Sequence, residues 1–265
     1  MIGAIIGDIA GSRFEFRNYR QKDFELFTPE CSPTDDSIMT VALGKAILSC
    51  NGDYTNLSQK AIECMQEFGK RYPHCGFGGM FRQWIREENP QPNGSFGNGA
   101  AMRVSGAGFA ARTLDEAKEL SYKVTCVSHN HSEGIKGAEA VAVAIFLARQ
   151  EKSKQEIRKY IEENYYKIDF TLDEIRPTYR FNETCQGTVP QAFEAFFEAD
   201  SFEDTIRNAI SIGGDSDTLA AIAGSIAEAY YGVPMYIRFQ AEDILSCKEL
   251  LPVFYWLDKF EEQYP

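Results

Sequence analysis

Gly213-Gly214-Asp215-Ser216-Asp217-Thr218, followed directly by Leu219-Ala220-Ala221-Ile222-Ala223-Gly224, is the stretch on which the reading of this chain turns. Two adjacent glycines let the backbone turn sharply. The carboxylates and hydroxyl behind them stand where an apolar helix should begin, and they offer hard oxygen ligands for a cation. The same residues admit a plainer reading, because Asp is a favoured helix N-cap and Gly often sits beside it. Taken alone, the segment does not choose between a cap and a cation site.

Working outward, a second helix start carries a matching set. Thr34-Asp35-Asp36-Ser37 precedes Met39, Ala42, Leu43, Ala46, Ile47 and Cys50, an apolar stripe at helical spacing. Capping by Thr34, with acids favoured by the helix dipole, again explains part of the pattern. It explains one acid better than two side by side, since adjacent carboxylates repel unless a cation or solvent separates them. If the two starts face each other, four carboxylates and two hydroxyls could hold one or two hard divalent ions, with Mg2+ or Mn2+ suited to all-oxygen ligands.

The segments between them read as helices and loops. From Ile2, apolar residues Ile2, Ile5, Ile6, Ile9 and Ala10 fall at helical spacing, while Gly3, Gly7 and Gly11 recur every four residues. Gly costs about 1 kcal/mol relative to Ala in a helix, so this stripe predicts a helix packed very closely against a neighbour. Asp8 lies inside that helix and needs a partner, either a backbone amide or the surroundings of a metal site. Residues 13–33 read as a loop, with Glu15 a mobile carboxylate just beyond the helix. Further helices are expected over 57–72, 114–127, from Ile135 onward, over 152–166 and around Val189–Phe197, and the stretch from Asp204 to Ile212 leads into the opening segment. The helix after Thr218 stops near Gly232 and Pro234. No alternating β-branched run is long enough for a sheet, so residues 1–265 read as one all-α domain.

Two other stretches attract attention. Asn93-Gly94-Ser95-Phe96-Gly97-Asn98-Gly99-Ala100-Ala101-Met102-Arg103 is the most glycine-dense loop, and it runs into small residues that could begin a helix. Exposed amides there could cradle an anion, and Phe96 could face a base, although neither a Walker A nor a Rossmann pattern is present. Ser128-His129-Asn130-His131-Ser132 holds two of the three histidines, open to metal binding, proton transfer, phosphate contact or simple capping.

Composition narrows the partners. A net charge of -12 supplies no basic field for nucleic-acid phosphates or an anionic membrane. The seven cysteines are odd in number and form no Cys-x-x-Cys pair, which points to reduced thiols and a cytoplasmic setting rather than a disulfide framework or zinc site. Asp8 interrupts the apolar N-terminal run, and no basic residue precedes it, so neither export nor a membrane span is expected.

Together these segments resemble the ADP-ribosylglycohydrolases, the family that includes the dinitrogenase reductase activating glycohydrolase. The resemblance rests on Gly3-Ala4-x-x-Gly7-Asp8-x-x-Gly11 with Glu15, on Thr34-Asp35-Asp36-Ser37-x-Met39, on Gly97-Asn98-Gly99-x-x-Met102-Arg103, on Ser128-His129, and on Gly214-Asp215-Ser216-Asp217-Thr218-x-Ala220-Ala221-Ile222-x-Gly224. These segments run in the family's order, from residue 1 to about 232.

The resemblance implies an orthogonal all-α bundle with a binuclear magnesium centre, cleaving the bond between the ribose anomeric carbon and an acceptor on a protein or small molecule. By matched position it implies Thr34, Asp35, Asp36, Asp215, Asp217 and Thr218 as metal ligands. Ser95, Phe96, Gly97, Asn98 and Gly99 would hold the ADP-ribose diphosphate and adenosine, His129 would contact a phosphate, and Glu15 would sit on a gating loop. Glu15 and Asp36 are the candidate general bases. Ser37 stands where the family commonly has threonine, and Val104-Ser105-Gly106 where it often has a nearby proline. The competing readings are another metal-dependent hydrolase of an ADP-ribose-like nucleotide and an inactive binding protein of the same fold. An isoprenoid synthase is disfavoured, because Asp35-Asp36-Ser37-Ile38-Met39 is not Asp-Asp-x-x-Asp.

Overall fold

The apolar stripes fold as helices. The structure, a computed structural model, describes residues 1–265 and contains no strand, its one extended pairing being an isolated bridge between Gly97 and Thr184. In chain order the helices are α1 (Ile2–Ser12), α2 (Asp35–Leu48), α3 (Leu57–Arg71), α4 (Gly79–Trp84), α5 (Gly99–Met102), α6 (Ser105–Ala110), α7 (Leu114–Thr125), α8 (Ser132–Arg149), α9 (Lys154–Asn164), α10 (Leu172–Ile175), α11 (Cys185–Phe197), α12 (Phe202–Ile210), α13 (Ser216–Tyr231), α14 (Met235–Leu245) and α15 (Leu251–Gln263). The expected all-α class is observed. The starts follow capping chemistry: Thr113, Ser153, Thr171, Thr184 and Ser201 each accept a backbone N–H of the following turn. Ser153 and Thr171 complete reciprocal capping boxes with Glu156 and Glu174.

Helix α13 is the centre of the molecule. Every residue from Ser216 to Ala227 is buried, as expected for a helix apolar on all sides. It packs against α1, α8, α11 and α12. The glycine stripe of α1 finds its neighbour here. A Cβ on Gly7 would lie 2.6 Å from the Ala221 nitrogen, and one on Gly11 would lie 2.5 Å from the Asp217 Cα. Gly3 and Gly224 meet in the same way, each facing the other's carbonyl oxygen. Two helix backbones are therefore in direct contact, which only glycine permits at Gly3, Gly7 and Gly11, and the extra dispersion offsets the poor helix propensity of three glycines.

Residues 13–33 contain no helix, as expected, and fold around Phe14, whose ring stacks on Tyr19 with centroids 4.6 Å apart. The buried apolar residues form one continuous cluster that begins at Met1 and reaches Phe260 in α15. All seven cysteines are free thiols. No helix is long and apolar enough to cross a membrane.

Candidate active site

Contact between α1 and α13 brings the two acidic helix starts together, and Asp8 joins them. This wholly buried carboxylate accepts from the Thr34 amide at 2.8 Å, the Thr34 hydroxyl at 2.7 Å and the Ser37 amide at 3.0 Å, and it also accepts from the Ser37 hydroxyl. It thus supplies acceptors to the orphan donors of the first turn of α2, a task that a helix N-terminus sets for any nearby anion. Backbone amides and hydroxyls are therefore its partners. Burial raises its pKa to about 6, and these hydrogen bonds work against that rise.

From the other side, Thr218 Oγ1 donates to Asp36 Oδ2 at 3.3 Å. Asp215 stands at the N-cap position of α13 yet makes no capping hydrogen bond with its side chain. Its carboxylate instead accepts from Asn98 Nδ2 at 2.6 Å. Capping is therefore not what this aspartate does, whereas Thr34 does cap α2 through the Asp36 amide. The turn that presents Asp215 needs both of its glycines: Gly213 and Gly214 each have φ of 74°, and a Cβ there would meet Asn18 and Tyr179 respectively.

The arrangement suits a cation. Asp8, Asp36 and Asp217 each offer an oxygen within 4.8 Å of the others, and so do Glu15, Asp215 and Asp217. Asp36 Oδ1 is buried with no hydrogen-bond partner, a costly condition for a carboxylate oxygen unless a positive charge meets it. Because Asp8 already accepts four hydrogen bonds, it serves better as a brace for Thr34 and Ser37 than as a ligand. Every donor is a carboxylate or hydroxyl oxygen, which favours Mg2+ or Mn2+ over softer metals.

Electrostatics point the same way. Burial, then repulsion from Asp8 and Asp35, holds the Asp36 pKa well above the carboxylate range. Asp217 is raised well above it by burial and by Asp36 and Asp215. Asp35, at the cavity rim, is pushed up to about 7 by burial and by Asp8, and half-buried Glu15 to about 7 by burial and by Asp215. Burial also raises Asp215, with the Asn98 hydrogen bond opposing. Such a cluster either holds protons or holds a cation.

These groups line one wall of a cavity of about 410 Å³, and the glycine loop forms another. Ser95, Phe96, Gly97, Asn98 and Gly99 all line it, as does His129. The loop's amides are less available than a bare glycine run suggests. Those of Gly94, Ser95, Gly97 and Asn98 donate to Asn130, Asn93, the Ser95 hydroxyl and the Glu183 carbonyl. Phe96 is 42% exposed and offers an open ring face beside His131, at 5.1 Å between centroids. The two histidines part company. His131 caps α8 through the Glu133 amide at 3.1 Å, whereas His129 is buried against the cavity with Nδ1 2.9 Å from Arg103.

Several contributors escaped sequence reasoning. Phe181 and Glu183 close the cavity from the segment before α11, and Gly76, Met80 and Phe81 close it opposite. Pro73 and the glycines at 76, 78 and 79 signal only a turn in the sequence, and a lone loop glutamate signals nothing. Cys75, beside the isolated His74, contributes its carbonyl, which accepts the Asp35 amide at 2.8 Å.

The family model for ADP-ribosylglycohydrolase matches residues 1–247. The ADP-ribosylhydrolase ARH3 of Homo sapiens is 27% identical over an alignment covering 88% of this chain and 84% of that protein. The ADP-ribosyl-(dinitrogen reductase) glycohydrolase of Rhodospirillum rubrum is 26% identical, over 76% of this chain and 69% of its own. A solved structure described as an ADP-ribosylglycohydrolase-related protein complex shares the fold, with a TM-score of 0.64 and 19% identity over 96% of this chain and 95% of that one.

Proposed function

Because the chain belongs to the ADP-ribosylglycohydrolase family, we propose that it is a divalent-metal-dependent hydrolase that removes ADP-ribose from a modified acceptor, by cleaving the bond between the ribose anomeric carbon and that acceptor. The observation that supports this reading most is the meeting of two acidic helix starts at Asp36 and Thr218, with Asp36 Oδ1 buried and unpaired.

Thr34, Asp35 and Asp36 from one start, and Asp215, Asp217 and Thr218 from the other, are the proposed ligands of two Mg2+ ions, with Mn2+ as the alternative. When bound, such ions orient ribose hydroxyls and raise the acidity of water. The chain's own groups do the rest. The loop Ser95–Gly99 takes the ADP portion, Phe96 presenting its ring to the adenine. His129 gives a hydrogen-bond donor to the diphosphate. Glu15, half-buried in the cavity wall beside Asp215 and Asp217, is placed to accept a proton from the attacking water. Asp36 is the second candidate base; its contacts with Thr34 and Thr218 suit it better to holding geometry. Dense negative charge favours the positive charge that develops at the anomeric carbon.

Residues 1–265 are proposed to work as one domain, in keeping with the continuous core. The acceptor is an ADP-ribosylated protein or small molecule. The free cysteines support a cytoplasmic setting. The test is incubation with arginine- and serine-ADP-ribosylated peptides, with Mg2+ or with chelator. The expected result is release of free ADP-ribose that requires the cation. Release that survives chelation, or none from either linkage despite ADP-ribose binding, contradicts the proposal.

A further inference from the structure

Arg103 is a buried cation with no direct ion-pair partner, Asp35 and Asp36 acting on it only electrostatically. It is 2% exposed and forms no salt bridge, although water is excluded around it. Its Nη2 donates to Ser128 Oγ at 2.7 Å and meets His129 Nδ1 at 2.9 Å. Its guanidinium lies over the Phe81 ring, 4.5 Å from the centroid, and that ring stacks in turn on Trp84. Burying an arginine this way is expensive unless something returns the energy. Stacking on an aromatic face returns part of it, and the remainder calls for a role.

That role follows from the chemistry of the pair. A guanidinium only donates, so Nδ1 of His129 must be an acceptor and carries no proton. Ser128 Oγ, 2.9 Å from the same nitrogen, can add its own hydrogen to it. A neutral imidazole with a bare Nδ1 has its proton on Nε2. Nε2 points to the glycine loop: it lies 3.6 Å from where a Cβ would stand on Gly97, and equally on Gly99. The nitrogen thus lies at contact distance from the loop, and His129, Gly97 and Gly99 line the same cavity.

We infer that Arg103 is a positioning residue that locks His129 as the neutral Nε2–H tautomer and so aims a permanent donor at the diphosphate of a bound ADP-ribose. The inference rests on the reading of the cleft as an ADP-ribose site. It also assigns His129 a limited part. Protonating Nδ1 would set an imidazolium against the guanidinium, so the ring does not shuttle protons near neutral pH. Burial and Arg103 together do hold its pKa well below the usual histidine value. The charge of Arg103, which Asp35 and Asp36 favour without pairing with it directly, lies behind the imidazole and polarises its N–H outward.

Long-range proton–nitrogen correlation spectra of the 15N-labelled free protein test this without substrate. Wild-type His129 is expected to show a protonated Nε2 and a bare Nδ1, unchanged between about pH 5 and pH 8. Arg103→Met is expected to give a ring that populates both tautomers, because the donor that excludes a proton from Nδ1 is gone. Its ADP-ribose affinity should fall roughly tenfold to a hundredfold, the effect of losing one charge-assisted contact. Mn2+ affinity without nucleotide should not fall, because the cation ligands are untouched and the substitution removes a positive charge that acts on Asp35. Arg103→Lys keeps a cationic donor and should retain the tautomer with part of the affinity.

A wild-type ring protonated on Nδ1, or an Arg103→Met protein whose His129 remains wholly the Nε2–H tautomer, overturns the role of Arg103. Loss of the tautomer with unchanged ADP-ribose affinity overturns instead the diphosphate contact, so the two failures are distinguishable. If Arg103→Met does not fold, the wild-type spectrum and Arg103→Lys still decide the question.

Discussion

Thr218 donates its hydroxyl hydrogen to the Asp36 carboxylate at 3.3 Å, joining two helix starts that lie 182 residues apart in the chain. The contact exists because α1 is laid backbone to backbone on α13 through Gly7 and Gly11, while Asp8 of the same helix holds the first turn of α2. One helix thus positions both halves of the acidic cluster.

That arrangement makes the α1–α13 contact intolerant of a single methyl group. Gly7→Ala gains about 1 kcal/mol of helix propensity. It must also push two backbones apart, since the new Cβ would stand 2.6 Å from the Ala221 nitrogen. Urea unfolding is expected to show a net loss of about 2 kcal/mol or more, with divalent-cation affinity falling as the two starts separate.

Asp8 predicts a different signature. In Asp8→Asn, one oxygen becomes an NH2 group facing the donors of Thr34 and Ser37, so the brace fails at its contact with α2. Mn2+ affinity, read by calorimetry, should drop roughly tenfold to a hundredfold, the usual range for a residue that orients ligands without touching the ion.

The proposed ligands should trade activity for metal-free stability. Asp35→Asn and Asp217→Asn are each expected to abolish turnover. Asp217→Asn also removes a buried carboxylate whose pKa lies well above its ordinary value, hence one that opposes folding when charged. Its melting temperature in chelator at about pH 8 should therefore rise, by ~2–4 °C for each kcal/mol relieved. Full activity in either variant would contradict the assignment.

The same logic gives the pH dependence. Folded-state values of about 7 for Glu15 and Asp35, and about 6 for Asp8, lie above those of the unfolded chain. Between the unfolded and folded values the native state holds more protons, so raising the pH favours unfolding. Metal-free protein is thus expected to melt highest near or below about pH 4 and to lose stability progressively from there to about pH 7. Added Mg2+, which binds the ionised forms, should stabilise more at about pH 8 than at pH 5.5. Melting curves with and without chelator check both signs.

Much of this was legible in the residues. The all-α class followed from 3.6-residue periodicity. The glycine stripe of the first helix foretold a close neighbour, though not that it would be α13, because a stripe of small residues states a distance and not a partner. The likeness between Thr34-Asp35-Asp36 and Asp215-x-Asp217-Thr218 suggested a shared site, since capping accounted poorly for paired carboxylates. What stayed hidden was what loops bring in from a distance: the Asn98 amide on Asp215, the Glu183 side chain, and the wall formed by Gly76, Met80 and Phe81. Loop residues have no periodicity to betray the face they present. The loop around Gly97 looked like a bare amide cradle because composition does not reveal that four of its N–H groups are already bonded internally.

The central claim is that two helix starts hold cations jointly, and anomalous diffraction from crystals grown with Mn2+ tests it most directly. Manganese peaks are expected within ligand distance of oxygens from both Asp36 and Asp217, with Asp36 Oδ1 no longer unpaired. An absence of peaks at saturating Mn2+, or peaks bound by one helix start alone, would contradict the account.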